Sequence, residues 1–418
     1  MREMKNSGIE WIGNIPSSWD VVKFKSICTP KSILNSGNRE LLSVYLDRGV
    51  IRYSDSTNMQ VHKPSESLDK YQNVDVGDLV MNNQQAWRGS VGVSKYKGII
   101  SPAYLIYKLS DSCYPNYMNY VFRDCTMVQQ YEYCSRGVGS IQRNVSPQWL
   151  KQAIVLLPPL NEQKKIATFL DAKCSEVDDL IADIQAQIDA LEQYKRSTIA
   201  EAVTKGINRN ADMKDSGAGW LGEIPSHWKI DKFKYRLTRS EPRNPGNMIV
   251  LSLYRELGII PKDSRDDNHN QTSEDTSKYK HVKPGNFVVN KMKAWQGSVA
   301  VSDYEGIISP AYYVYKFTDN SFDKRYFHYL LRGCYKDEFM RLSGGMRVGQ
   351  WDLSAEDLEN TTVIIPPIEE QTAISMYLDK RCSEIDTCVE IKKEQITTLE
   401  SYKKSIIFEY VTGKKEVV

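Results

Sequence analysis

This chain has no long apolar run. Nothing in its 418 residues approaches the ~20 consecutive apolar positions that a membrane-crossing helix needs, which excludes a helical membrane span. Histidine is scarce. His62, His227, His269, His281 and His328 are the full set, and none stands at HxxxH or Cys/His ligand spacing, so no metal centre is expected. The eight cysteines form no CxxC pair. The N-terminal MREMKNSGIEWIG has neither an apolar core nor a small-residue cleavage site, so reduced thiols in the cytoplasm are expected. Neither sign of charge dominates, because the formal net charge is only +2. A surface that binds a polyanion would have to be local.

Signatures of nucleotide chemistry are missing too. There is no GxxxxGK(S/T) loop, and the VTGKK at Val411 is too short and follows no strand. No Gly-rich loop sits in a βαβ context. The two Pro-Pro pairs follow Leu157 and Ile365, so neither forms the Asn-Pro-Pro-aromatic motif of an amino-methyltransferase. Nothing nominates a catalytic triad, and no catalytic residue is expected.

What is present is an ordinary globular composition, 41% hydrophobic and 26% charged, in a chain long enough for two to four domains. It is written twice. SGIEWIGNIPSSWDVVKFK from Ser7 returns as SGAGWLGEIPSHWKIDKFK from Ser216. AWRGSVGVSKYKGIISPAYLIYK from Ala86 returns from Ala294, and LLPPLNEQKKIATFLDAKCSEVDDLI from Leu156 returns from Ile364. LEQYKRS at Leu191 returns as LESYKKS at Leu399. The order is kept throughout and the offset is nearly constant.

Each half begins with a globular part. Short β-rich runs such as VGDLVMN and SVGVSKY alternate with Gly, Asn, Ser and Pro, which predicts strands and turns. A helical stretch is expected near Tyr117 to Tyr133 and near Lys324 to Met340. A Gly-containing loop follows, SRGVGSIQRNVS in the first copy and SGGMRVGQWDLS in the second. The GIISPAY blocks read as buried strands, and Trp11, Trp19, Trp220 and Trp228 as core or docking residues.

After each Pro-Pro the pattern changes. Asn161 to Thr204 contains no Gly or Pro, and Leu170, Cys174, Val177, Ile181, Ile184, Ile188 and Leu191 keep an alternating spacing of four and three. That is a heptad stripe. The second copy repeats it with Leu378, Cys382, Ile385, Val389, Ile396, Leu399 and Ile406, interrupted by Lys392. Lys195 and Lys403 fall on the stripe near its distal end, which predicts a wetter seam or a partner there. A helix of about 44 residues is about 65 Å long and needs a mate for its stripe. The other copy in the same chain is the simplest. Gly206 and Gly413 stand where each helix should stop. By repeat logic, the tail after Thr412 is expected to meet the N-terminal segment.

The doubled W-(I/L)-G-x-I-P-S-x-W, P-P-(L/I)-x-E-Q and L-E-x-Y-K-(R/K)-S motifs give the whole chain a family likeness. It resembles the specificity subunit of type I restriction–modification systems. The resemblance implies a mixed α/β (α+β) protein with an internal pseudo-two-fold repeat. Two similar target-recognition domains, 1–158 and 208–366, are joined by two long antiparallel coiled-coil helical spacers, 159–207 and 367–418. It implies a non-catalytic chain in the cytoplasm that binds double-stranded DNA at a bipartite, gapped target. It also implies two methyltransferase subunits and restriction/translocase subunits as partners, and no membrane. S-adenosylmethionine, ATP and Mg are then expected on the partner subunits, with no cofactor on this chain.

Two loops become candidates for DNA contact, since amides suit adenine and guanidinium or ammonium groups suit guanine or phosphate. The first gives Asn82, Asn83, Gln84, Gln85 and Arg88, with Lys291, Lys293 and Gln296 in the second copy. The second loop gives Arg136, Gln142, Arg143 and Asn144, with Arg347 and Gln350. Trp87 and Trp295, identical in both copies, read as fold anchors. Positions that differ between copies, such as Arg88 and Gln296, are the better candidates for sequence readout. Two rival readings stand beside this one: a coiled-coil adaptor that binds no DNA, and an enzyme with a cryptic site.

Overall fold

The structure is a computed structural model. It describes residues 2–10, 12–35, 37, 39–56, 64–65, 67–138, 142–255, 257–264, 275–345 and 351–417. Two compact units divide the chain. The first holds Met1–Ile184 and Lys393–Val418, and the second holds Gln185–Lys392. Each unit therefore contains one globular part and a piece of each long helix.

The first unit is built on a four-stranded antiparallel sheet. In spatial order its strands are Cys28–Lys31, Tyr104–Leu109, Leu79–Asn82 and Val91–Val93. The run Leu79-Val80-Met81 is wholly buried because this sheet is covered on both faces. Leu79 and Met81 face a core shared with Phe24, Tyr107, Tyr117, Phe122 and Tyr131. Val80 points the other way, into a smaller core with Leu42, Val44, Val50, Val74, Ile100 and Ile106. The second unit repeats the plan with Leu237–Arg239, Tyr312–Phe317, Phe287–Asn290 and Val299–Val301. There Phe287 and Val289 join the large core, and Val288 the small one.

The expected helical stretch in each globular part is two helices. Pro115–Arg123 and Cys125–Tyr133 meet at Asp124. That residue is extended, and its carboxylate accepts from the Thr126 N–H at 2.9 Å, an N-cap that starts the second helix. Lys324–Cys334 and Lys336–Leu342 divide at Tyr335, which keeps a helical backbone and makes no side-chain cap. The first GIISPAY block is a buried strand only over Gly98–Ile100; Ser101 to Ala103 turn before the next strand.

Trp19 and Trp228 are fully buried, as expected. Trp220 is half-buried with its ring centroid 4.6 Å from that of Tyr335, and Trp11 lies outside the described residues. Each buried tryptophan precedes a strand that pairs with the strand ending in Pro-Pro: Asp20–Lys23 with Ile154–Leu157, and Lys229–Lys232 with Thr362–Ile365.

The glutamine of each P-P-(L/I)-x-E-Q motif joins the globular part to the long helix. Gln163 is fully buried. It accepts from the Tyr114 N–H at 2.7 Å and donates to the Ser112 and Pro158 carbonyls at 2.9 Å. Gln371 does the same with the Asp323 N–H and the Ser321 and Pro366 carbonyls, at 2.8, 2.8 and 2.9 Å. Three backbone groups are thus satisfied by one buried side chain.

The long helices run over Leu160–Lys205 and Ile368–Val411. In the first unit Phe169 packs on Tyr410 with centroids 4.5 Å apart, and Lys403 pairs with Asp178 at 2.6 Å. In the second, Lys195 pairs with Asp386 at 2.6 Å and Lys392 donates to Gln187. Partner numbers fall as helix numbers rise, so the pairing is antiparallel within each unit. Leu170, Cys174, Val177, Leu378, Cys382, Ile385 and Val389 are buried on the seam. The lysines that interrupt the stripe are met by aspartate or glutamine from the opposite helix.

Gly206 and Gly413 end the helices with φ of 73° and 71°, the left-handed conformation of a C-terminal stop. A Cβ on Gly413 would collide with Pro16. Beyond it, the Lys414 ammonium donates to the carbonyls of Ile12 and Asn14, so the tail meets the N-terminal segment as expected.

Candidate nucleic-acid interface

The first candidate loop leaves the central strand at Asn82. The Asn82 side-chain oxygen accepts from the Gln84 N–H at 3.0 Å and closes a turn. A short 3-10 turn follows at Ala86–Arg88, with Ala86 fully buried and Gly89 at φ of 100°. The Trp87 indole N–H donates to the Gln84 carbonyl at 3.0 Å. The second unit repeats each contact. Asn290 accepts from Met292, Trp295 donates to the Met292 carbonyl, and Ala294 is buried. Asn82 and Asn290 are therefore engaged in shaping the loop, and Gln84 and Lys293 are exposed.

Trp87 and Trp295, expected as fold anchors, are only half-buried. The anchor of the turn is the alanine beside each. The indoles are tied to the loop at one edge, and each carries a further side chain against its ring.

Those side chains differ between the two units. In the first, Arg143 lies 4.9 Å over the Trp87 ring and Arg88 lies 5.6 Å from it. Arg143 also pairs with Glu132 at 3.0 Å. In the second, the position aligned with Arg143 is Trp351. Its ring packs against Trp295 with centroids 5.3 Å apart and planes at 60°. Asn83 and Asn144 of the first unit correspond to Lys291 and Asp352, which form an ion pair at 3.5 Å.

The second candidate loop is not a loop in the first unit. Ser135–Val138 and Gln142–Val145 form an antiparallel hairpin, with Arg136 opposite Asn144 and Gly137 opposite Arg143. Alternation sends Arg136 and Arg143 to different neighbours. Arg136 stacks 4.0 Å over Trp149, within reach of a cation–π attraction of about 0.5–1 kcal/mol at an exposed site. Asn144 is exposed. Gln142 is placed by its backbone, and its side chain lies outside the described residues. The hairpin meets the tryptophan loop where the Val145 N–H donates to the Asn83 carbonyl at 3.2 Å. In the second unit, an isolated bridge joins Gly344 to Asp352. Arg347 and Gln350 lie outside the described residues.

The first unit thus brings Arg88 and Arg143 to one tryptophan that is bonded to the Gln84 carbonyl, while Asn144 shares the other face of the hairpin with Arg136. Lys291, Lys293 and Gln296 sit around its counterpart. Sequence reasoning passed over Trp149 and Trp351. Their signal was available, since each is an aromatic at a position where the other copy has none: Asp357 aligns with Trp149, and Arg143 with Trp351. Among the described residues no cluster of His, Cys, Asp and Glu could hold a metal ion. No described helix is long and apolar enough to cross a membrane.

The model of the type I restriction modification DNA specificity domain matches residues 16–190 and again residues 232–401. The chain belongs to this family. The two matches cover both copies of the repeat, and the family's activity is DNA target recognition as a specificity subunit, which does not favour the adaptor reading. A Methanocaldococcus jannaschii protein described as the specificity subunit of the MjaX type I restriction enzyme is 26% identical over 439 residues, covering 97% of this chain and 96% of its own. The MjaVIII specificity subunit of the same organism is 29% identical over 281 residues, 62% of each chain. Two solved structures share the fold. One comes from work on complex assembly and conformational transition of the type I R-M system, with a TM-score of 0.69 at 16% identity over 96% of this chain and 99% of that one. The HsdS subunit from Thermoanaerobacter tengcongensis has a TM-score of 0.52 at 18% identity, over 96% and 98%.

Proposed function

We propose that each unit of this family member reads one half of a bipartite, gapped site in double-stranded DNA, with the surface around Trp87 in the first unit and around Trp295 in the second. The observation that carries this reading is the constant indole with a variable cover. Two readers of different half-sites need one scaffold and different contact groups. An Arg143 cover on Trp87 and a Trp351 cover on the equivalent Trp295 are that arrangement. Guanidinium groups suit guanine and phosphate, while amides such as Gln84 suit adenine.

In this reading the chain catalyses nothing. It guides two methyltransferase subunits to an adenine in each half-site, and restriction/translocase subunits join the same complex in the cytoplasm. S-adenosylmethionine, ATP and Mg are held by those partners. The missing nucleotide-binding motifs support the division of labour.

The test is methylome sequencing in a methylation-free host that expresses the chain with its neighbouring methyltransferase gene, and then without the chain. A new bipartite adenine-methylation motif that needs both genes is expected. If the complex assembles and no new motif arises, the reading fails.

A further inference from the structure

A third element borders the tryptophan loop in each unit. It is a β-hairpin, Leu42–Tyr45 with Gly49–Arg52 in the first and Leu251–Tyr254 with Gly258–Pro261 in the second. Its position beside the loop is held by polar contacts. The Ser90 hydroxyl, just after the turn, donates to the Val44 carbonyl at 3.1 Å. The Arg123 guanidinium donates to the Leu46 and Asp47 carbonyls at the hairpin tip. In the second unit Arg332 donates to the Tyr254 carbonyl at 3.3 Å.

The two copies exchange chemistry across this junction. Leu46 at the first hairpin tip aligns with Arg255 in the second, and Arg88 on the first tryptophan turn aligns with Gln296. The Arg255 guanidinium, on an exposed residue, donates to the side-chain oxygen of Gln296. A guanidinium therefore stands beside the shared turn in both units. It comes from the turn in the first and from the hairpin tip in the second.

The contact also fixes how Arg255 is held. Arginine has only donors, so Gln296 gives its oxygen to Arg255. The bond takes one of the two lone pairs on that oxygen and ties the guanidinium to the tryptophan turn. Arg255 thus presents a planar fork of donors beside the turn. The base edge that shows two adjacent acceptors in the major groove is guanine, through O6 and N7.

We infer that Arg255, oriented by Gln296, is a specificity-determining residue that selects a guanine in the half-site of the second unit. This rests on the reading of the chain as a DNA target reader. The hairpin tip then joins the tryptophan turn as part of the second unit's recognition surface.

The test compares the methylome made by the wild-type complex with those made by R255L, which installs the first copy's residue, and R255K, which keeps the charge and loses the planar fork. Wild type is expected to give a bipartite motif with a guanine in the half read by the second unit, which is the half whose selectivity the variants change. Both variants are expected to lower selectivity at one such guanine by about tenfold or more, leaving the other half-site unchanged. Wild-type selectivity in R255K overturns the assignment even if R255L fails to fold. Equal weakening on every sequence, with a shallower salt dependence, also overturns it and makes Arg255 a phosphate contact. A wild-type complex that gives no bipartite motif instead sinks the underlying functional reading, whatever the variants do.

Discussion

Arg143 lies 4.9 Å over the ring of Trp87 while its carboxylate partner Glu132 holds it at 3.0 Å. A guanidinium held between an indole face and a carboxylate loses much of its freedom, which in the proposed reading lowers the cost of ordering it when DNA binds. Trp87 in turn is set by its N–H bond to Gln84. The direction of one half-buried cation therefore follows from a buried alanine, a glycine with positive φ and a ring.

Trp87→Ala removes that seat. Each cation–π contact is worth about 0.5–1 kcal/mol at such a site, so affinity for a specific duplex should fall several-fold. The other half-site should keep its selectivity, because Trp295 is untouched. Competition binding with duplexes altered in one half at a time measures this. Equal loss of selectivity in both halves would count against separate reading surfaces.

Gln163→Leu should damage the joint between globular part and helix. It strands the Tyr114 N–H and two carbonyls. At about 1–3 kcal/mol for each unsatisfied buried group, less whatever water reaches, the loss should be several kcal/mol. Gln371→Leu should match it. Denaturant unfolding reads both, and a loss under about 1 kcal/mol would contradict the clamp.

Lys403→Leu should cost little. The Lys403–Asp178 pair is part-exposed, at 29% and 58% of side-chain area, and such pairs contribute about 0–1 kcal/mol. Leucine at a heptad position recovers apolar burial, so the melting temperature should hold or rise. A clear fall would show that the seam needs its charge there.

His328 makes the second unit sensitive to acid. Burial, with Arg332 nearby, lowers its pKa from the usual 6.5 to about 4. The unfolded chain then binds the proton first, so stability is full above pH 6.5 and is lost as pH falls from about 6.5 toward 4. The first copy has Asn119 at this position, where it accepts from the Val93 N–H at 3.0 Å. His328→Asn should flatten the drop in melting temperature between pH 7 and 4.5. An unchanged pH dependence would exclude His328 as its source.

Much of this molecule was legible before any coordinates. The long helices, their buried seam at Leu170 and Leu378, the stops at Gly206 and Gly413, and the buried Trp19 and Trp228 all followed from repetition and periodicity. The pairing of the helices followed because a lone stripe needs a mate. The helix break at Asp124 was harder, because a single capping carboxylate interrupts an otherwise continuous helical pattern. The hairpin at Ser135–Val138 was read as a loop, since its glycines weaken the strand signal. Trp87 reads from the sequence as a fold anchor and is only half-buried, because identity between copies does not say how much of an indole is covered.

The sequence by itself determined the repeat, the long helices and the family, because those are encoded in residue spacing along the chain. Tertiary structure decided which residues meet. It set Lys195 against Asp386, Gln163 against three backbone groups, Arg143 over Trp87 and Arg255 against Gln296. Each of these pairs joins positions far apart in the chain, and their contact depends on where several elements pack together, which no single stretch of sequence specifies.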